Sequence, residues 1–283
     1  MRRLMGVELT RLRWRRAVVL LVAAAVVLAV VVFGFVVHET RPLSPAEAAT
    51  DYVYRSTLSL VEQREAGSGL GLAIVLALFF LLVGTTFAGH DWNTGSMSNQ
   101  LLVEPRRGRV WLAKAAVVAA AAFVVCLVVL TLYWSGLWAV AVHRDIDIRD
   151  HAVAAAYKQG VLAALLAAAA TVTGFALTML FRSTVATLGV LVGVLVGGAI
   201  LWSALGIHNA RLSPFSNVEA YLVGSSVSYD WNCPGLDYGP RGPEGPDSCI
   251  SVVTRADSVP YLGGIVLLTS AASVLAFRRR DVP

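Results

Sequence analysis

The sequence predicts an all-α polytopic membrane protein with six transmembrane helices, an N-terminal interfacial helix and both termini in the cytoplasm. Three observations predict it. Apolar residues make up 57% of the 283-residue chain and charged ones only 14%, with a mean hydropathy of +0.69, a balance that no water-soluble domain of this length can bury. Uncharged stretches long enough to cross about 30 Å of hydrocarbon occur six times. The basic residues gather in alternate connecting segments.

The uncharged runs are residues 17–37, 70–88, 115–142, 159–181, 183–207 and 259–277, the fourth span being drawn from 152 to 181. Helices follow because hydrocarbon offers backbone amides no partner outside their own segment, and the runs lack the alternation of a barrel strand. With a cytoplasmic N-terminus, 14 of the 23 basic residues fall inside, among them Arg106, Arg107, Arg109, Lys114, Arg182 and Arg278, while 14 of the 18 acidic residues fall outside. The positive-inside rule then orients the chain, and the even span count returns the C-terminus to the same side. The pI of about 9.4 thus reflects membrane orientation, not nucleic-acid binding.

Residues 1–16 precede the first span, where Met1, Met5, Leu9 and Leu12 recur at helical spacing. They fit a helix lying on the inner headgroups, the alternative being a charged tail that only orients the span. The first run is too long for a signal-peptide core, and the first small-x-small option, at Ala46–Ala48, is distant from it, so the span is read as a retained anchor. Cys126 stands alone within the third span. Cys233 and Cys249 share the Pro- and Gly-rich segment 208–258, read as an extracellular loop, where a disulfide is expected at an oxidising face; two free thiols are the alternative.

Most catalytic chemistry is excluded. No G-x-x-x-x-G-K-[ST], H-E-x-x-H or G-x-S-x-G motif occurs, so neither a catalytic residue nor a metal site is assigned. The "GSGLG" of 67–71 reads as a flexible lead-in to the second span. His38, His90, His143, His151 and His208 lie near span ends, where solvation is expected. None of the six runs contains Asp or Glu, which argues against ion-coupled carriage. Lys158, just before the fourth run, can snorkel to the outer headgroups.

The segment 89–114, "GHDWNTGSMSNQLLVEPRRGRVWLAK", is the most ordered of the polar connectors. Asn93-Thr94-Gly95 makes a turn, Ser96 is placed to cap a short helix, Leu101 and Leu102 form an apolar pair, and Pro105 stops the helix. Arg106, Arg107 and Arg109 add cations at its C-terminal side, and Lys114 marks re-entry into the membrane. An ordinary basic connector would explain the arginines alone. In the fifth run Gly189, Gly193 and Gly197 recur every fourth residue, a stripe that lets another helix approach closely, either a span of this chain or a second subunit.

The series Asp91, Gly95-Ser96, Leu101-Leu102, Pro105-Arg106-Arg107, Lys114 resembles the loop between spans two and three of type-2 ABC transporter permeases. "VELTRLRWRR" is similar to that family's N-terminal interfacial segment, and "FRRRD" at 277–281 to its closing motif. The resemblance implies a single permease domain over 1–283, in the plasma membrane of a bacterium, a source to which the alanine- and arginine-rich composition also points. It implies two ABC ATPase subunits as partners, which bind ATP and Mg, the permease itself holding no cofactor. It also implies a second permease, identical or sister, whose interface includes the Gly189–Gly193–Gly197 face. Asp91 through Arg109 would seat the ATPase, and the cargo would be an amphipathic drug, lipid or peptide moving outward. Ser96, where Thr is commoner, and the long cysteine-bearing outer loop depart from the family pattern. Import, and a six-span lipid-modifying enzyme or assembly scaffold outside the ABC transporters, are the alternatives.

Overall fold

The computed structural model describes residues 2–42, 57–198, 200, 210–229, 237–239, 242–244 and 249–279. Among them, five helices are long and apolar enough to cross a membrane. They are α2 (Arg16–Glu39), α4 (Ser68–Asn93), α6 (Arg107–His143), α7 (Asp150–Phe181) and α10 (Arg255–Arg279). The short helix α1 (Arg2–Trp14) precedes them, and α3 (Leu60–Glu65) and α5 (Ser96–Val103) lie between them. Of the fifth expected span, 183–207, the described part is α8 (Thr184–Val192) running into a π-helical turn at Gly193–Gly197, and residues 201–207 lie outside the described residues. The remaining expected features Ala46–Ala48, His208, Cys233 and Arg280–Asp281 lie outside the described residues.

The chain divides into two compact units, one of Met1–Gly84 with Leu112–Val172, the other of Thr85–Trp111 with Thr173–Pro283. In the first, large apolar side chains such as Leu76, Phe80, Leu130, Trp134 and Leu137 are buried together with small ones, Ala163, Ala164 and Ala167. This is the packing expected where lipid offers no hydrophobic drive and close van der Waals fit must hold helices together. Buried hydroxyls stay satisfied inside their own helices, as when Thr171 donates to the Ala167 carbonyl at 2.7 Å.

Gly69 corrects the expectation of a flexible lead-in. It sits in the first turn of α4, where an added Cβ would come within 2.5 Å of the Trp134 ring and 2.7 Å of the Gln63 carbonyl oxygen. Glycine there permits close approach, and the segment is helix from Ser68 onward. At the far end of α6, Arg144 donates to the Thr40 and Val37 carbonyls, each at 2.8 Å, so its guanidinium closes the C-terminus of α2, whose last carbonyls lack helical partners.

In the second unit, the expected outer loop is partly ordered structure. Ser213 accepts a hydrogen bond from the Ser216 amide and Pro214 occupies the first turn, so α9 (Pro214–Val223) starts from a capped end. It stops at Gly224 with φ 129, a left-handed backbone that favours glycine. Strands β1 (Ser225–Tyr229) and β4 (Ile250–Thr254) pair antiparallel, Val227 opposite Val252, and β2 (Asp237–Gly239) pairs with β3 (Gly242–Glu244). The all-α expectation therefore holds for the helical body and is corrected for this segment. Ala210, Ala220 and Val253 form a small core of its own.

Candidate functional site

Helix α4 ends at Asn93, where Thr94 Oγ1 donates to the His90 carbonyl at 2.8 Å and closes the last turn. Gly95 follows with φ 67, a left-handed conformation that reverses the chain and favours glycine over any side-chain-bearing residue. The expected cap is corrected here: Gly95 holds the cap position and Ser96 is the first residue of α5. The Ser96 hydroxyl instead donates to Asp91 Oδ1 at 2.8 Å, and Asp91 is fully buried. Asp91 and Ser96 thus act together, pinning α5 back onto the end of α4 with a charge-assisted hydrogen bond.

Along α5, Met97 and Gln100 turn inward, Leu101 is half-buried, and Leu102 and Val103 are 85% and 87% exposed. The apolar pair offered at the surface is therefore Leu102 with Val103, one residue later than the expected Leu101-Leu102. Glu104 is extended (φ −127, ψ 94), the backbone imposed on a residue preceding proline, so Pro105 ends the helix as expected. Arg106, Gly108 and Arg109 are exposed, and Arg107 is half-buried.

Beneath this loop, Trp92 is stacked on two sides. The Arg182 guanidinium lies 5.0 Å from its ring centroid and Phe277 meets it edge-on at 6.3 Å. Arg182 adopts φ 57, the break that separates α7 from α8, and Ser183 then caps α8 by accepting from the Ala186 amide. Among the described residues Trp92 Nε1 and Arg182 Nη2 are buried with no hydrogen-bond partner, and stacking holds this corner. Arg107 donates to the Phe277 carbonyl at 3.2 Å, and Trp111 Nε1 donates to Ser273 Oγ at 3.1 Å while packing on Phe175. The aromatic residues Trp92, Trp111 and Phe277 were not legible as a group, since they are spread over 186 positions of sequence.

A second feature, in the first unit, concerns the N-terminal helix. Lys114 Nζ donates to Glu8 Oε2 at 2.9 Å with both side chains fully buried, and Arg11 approaches the other Glu8 oxygen at 3.5 Å. Lys114 is thus no headgroup marker but half of a buried ion pair. The expected apolar stripe of α1 is corrected accordingly: Glu8 and Leu12 face the protein, while Met5 and Leu9 remain exposed. Glu8 stands out in sequence as the lone acid among six arginines before the first span, but nothing local names Lys114 as its partner.

The chain matches, over residues 4–197, the family described as ABC-2 family transporter protein. It belongs to that family. The match runs from α1 through the π turn and takes in Glu8, Lys114 and the whole of α5. No curated protein and no solved structure matches the chain. An ABC-2 permease is the membrane component of a transporter, partnered by an ABC ATPase that is a different protein. The alternative of an enzyme or scaffold outside the ABC transporters is set aside by the match. Of the other expected site residues, Gly189 lies on α8 and Gly193 and Gly197 bound the π turn, with no side chain or other element of the described residues within 4 Å of where a Cβ would stand. Cys126 is a buried free thiol, Cys249 is buried, and Cys233 lies outside the described residues.

Proposed function

We propose that this ABC-2 permease is the membrane half of an ATP-driven exporter of an amphipathic drug, lipid or peptide in the bacterial plasma membrane. Segment 89–114 is its cytoplasmic coupling loop, and α5 is the element on which an ATPase docks. The observation that carries this reading is the exposed Leu102–Val103 pair on a helix whose inner face and N-terminal end are fixed by Met97, Gln100 and the Asp91–Ser96 bond. Exposed apolar pairs on a pinned helix suit a partner's groove, and rigid anchoring lets movement of the partner reach the spans undamped. ATP and Mg stay with the two ATPases, whose closure is relayed through α5. The run 183–207 serves as a further span, giving six with both termini inside.

Sidedness is tested by thiol chemistry. Asn99 is exposed on α5. An Asn99→Cys chain is expected to resist a membrane-impermeant maleimide on intact cells and to react after permeabilisation. The unmodified chain is expected to stay unlabelled on intact cells, because Cys126 is buried and Cys233 is bonded to Cys249 in this proposal. Labelling of Asn99→Cys from outside would overturn the coupling role, and labelling that depends on Cys233 would overturn the disulfide.

A second permease, identical or sister, is placed against the glycine face of α8. Support comes from the open space at Gly189, Gly193 and Gly197, which no part of the described chain fills. For an identical pair, Gly193→Cys is expected to form an intermolecular cross-link under mild oxidation. Cross-linking no greater than that of an exposed cysteine elsewhere on α10 would count against this face.

A further inference from the structure

Where α6 begins and α10 ends, Pro105, Arg106, Arg107, Gly108, Arg109 and Arg278 line one open hollow of about 530 Å³. Its walls are fixed. Arg107 bonds the Phe277 carbonyl and Trp111 bonds Ser273, so the two helix ends that line it are held together. Gly108 contributes no side chain, and nothing stands within 4 Å of its missing Cβ, which leaves the floor clear. Among the described residues no carboxylate pairs with Arg106, Arg109 or Arg278, and all three are exposed. Glu104, the nearest acid in sequence, does not line the hollow.

We infer that this hollow binds the phosphate of an anionic phospholipid headgroup. Charge complementarity calls for an anion, because three guanidinium groups repel one another and no acid of the described chain offsets them. Position selects the lipid. Both α6 and α10 are long and apolar enough to cross a membrane, and the hollow sits where their polar ends emerge, at headgroup depth. The exposed Leu275, one turn before Arg278 on α10, continues from it toward the apolar part of that helix, a surface for an acyl chain of the same lipid. The stretch 89–114 is then divided between two partners, with Leu102 and Val103 offered to the ATPase and Arg106 and Arg109 to the membrane. The inference rests on the membrane placement of α6 and α10, not on ATPase docking.

The test uses the purified full-length chain in nanodiscs of phosphatidylcholine, with phosphatidylglycerol titrated in and retained lipid weighed by native mass spectrometry. One phosphatidylglycerol per chain is expected to survive delipidation. Arg106→Gln/Arg278→Gln should weaken its retention roughly tenfold or more, from about 1 kcal/mol per basic residue near a lipid surface. The control Arg13→Gln/Arg16→Gln, which removes the same charge from exposed positions outside the hollow, should leave it unchanged. Gly108→Glu places a carboxylate on the open floor and should abolish retention, so the question is still answered if the arginine variant does not fold. Inorganic phosphate alone should not compete. The inference is overturned if the hollow and control variants retain lipid equally, if phosphatidylcholine is held as well as phosphatidylglycerol, or if inorganic phosphate fills the site. Loss of ATPase co-purification with lipid retention intact would likewise overturn it and assign the arginines to the ATPase.

Discussion

Lys114→Met is expected to destabilise the permease by about 3–5 kcal/mol, among the largest single-residue effects in the chain. The substitution leaves the Glu8 carboxylate fully buried and without its 2.9 Å partner. Desolvating a lone carboxylate costs several kcal/mol, and Arg11, 3.5 Å away and partly exposed, only softens the loss. Glu8→Gln alone should be similarly damaging, since it removes the negative charge that the buried ammonium faces at 2.9 Å. The double variant Glu8→Gln/Lys114→Met removes both charges and is expected to melt within about 1 kcal/mol of the wild type, because two neutral groups no longer need each other. Thermal melting of the four proteins in one detergent completes the cycle. Additive losses in the double variant would mean that the two side chains act independently and that the pair does not fasten α1.

Leu102→Asp/Val103→Asp is expected to abolish coupled transport while leaving membrane insertion and melting temperature near wild type. Both side chains are more than four-fifths exposed, so replacing them removes almost no internal packing. In a docked complex each would contribute about 1.5–3 kcal/mol by burial, and a carboxylate in the same place adds a desolvation cost. Affinity for the ATPase should therefore fall by a factor of a hundred or more, read as loss of co-purification and as ATP hydrolysis no longer stimulated by cargo. Leu101→Asp makes a useful contrast: Leu101 is half-buried, so its change should lower stability as well as coupling. Retained co-purification and transport in the double variant would refute docking at α5.

The helical body was legible because hydropathy records burial in lipid directly, but the ends of the helices were not. α6 begins at Arg107, eight residues before the uncharged run, because guanidinium and ammonium groups there find partners in Phe277 and Glu8 and need not leave the helix. A window that stops at charge cannot see a charge that is paired. In the same way α7 begins at Asp150, before Lys158 and Gln159. In segment 89–114 the turn and the helix stop were legible, since Gly95 and Pro105 impose their backbone through local sterics alone, whereas the cap at Gly95 and the one-residue shift to Leu102–Val103 depend on how α5 meets the end of α4. The run 183–207 could not reveal its π turn, because hydropathy is blind to the number of residues per turn. In segment 208–258 the Ser213-Pro214 start and Gly224 stop of α9 were available as signals, and abundant proline and glycine masked them. The Glu8–Lys114 pair spans 106 positions and is a tertiary fact that no local pattern encodes.

The junction of β4 and α10 has a mechanical consequence. Thr254 ends the strand and Arg255 begins the helix with no residue between them, and Asp257 clamps the joint by accepting from both the amide and the hydroxyl of Thr254. Arg255 also donates to the Tyr221 and Gly224 carbonyls, welding the helix to α9. From that weld α10 runs 22 residues on, about 33 Å at 1.5 Å each, to Phe277 against Trp92. A stiff rod clamped at one end cannot tilt there without swinging at the other, and the chief place for it to bend is Pro260, near the clamp. Rocking of the small sheet is thereby geared to displacement of the tryptophan at the opposite pole of the same unit.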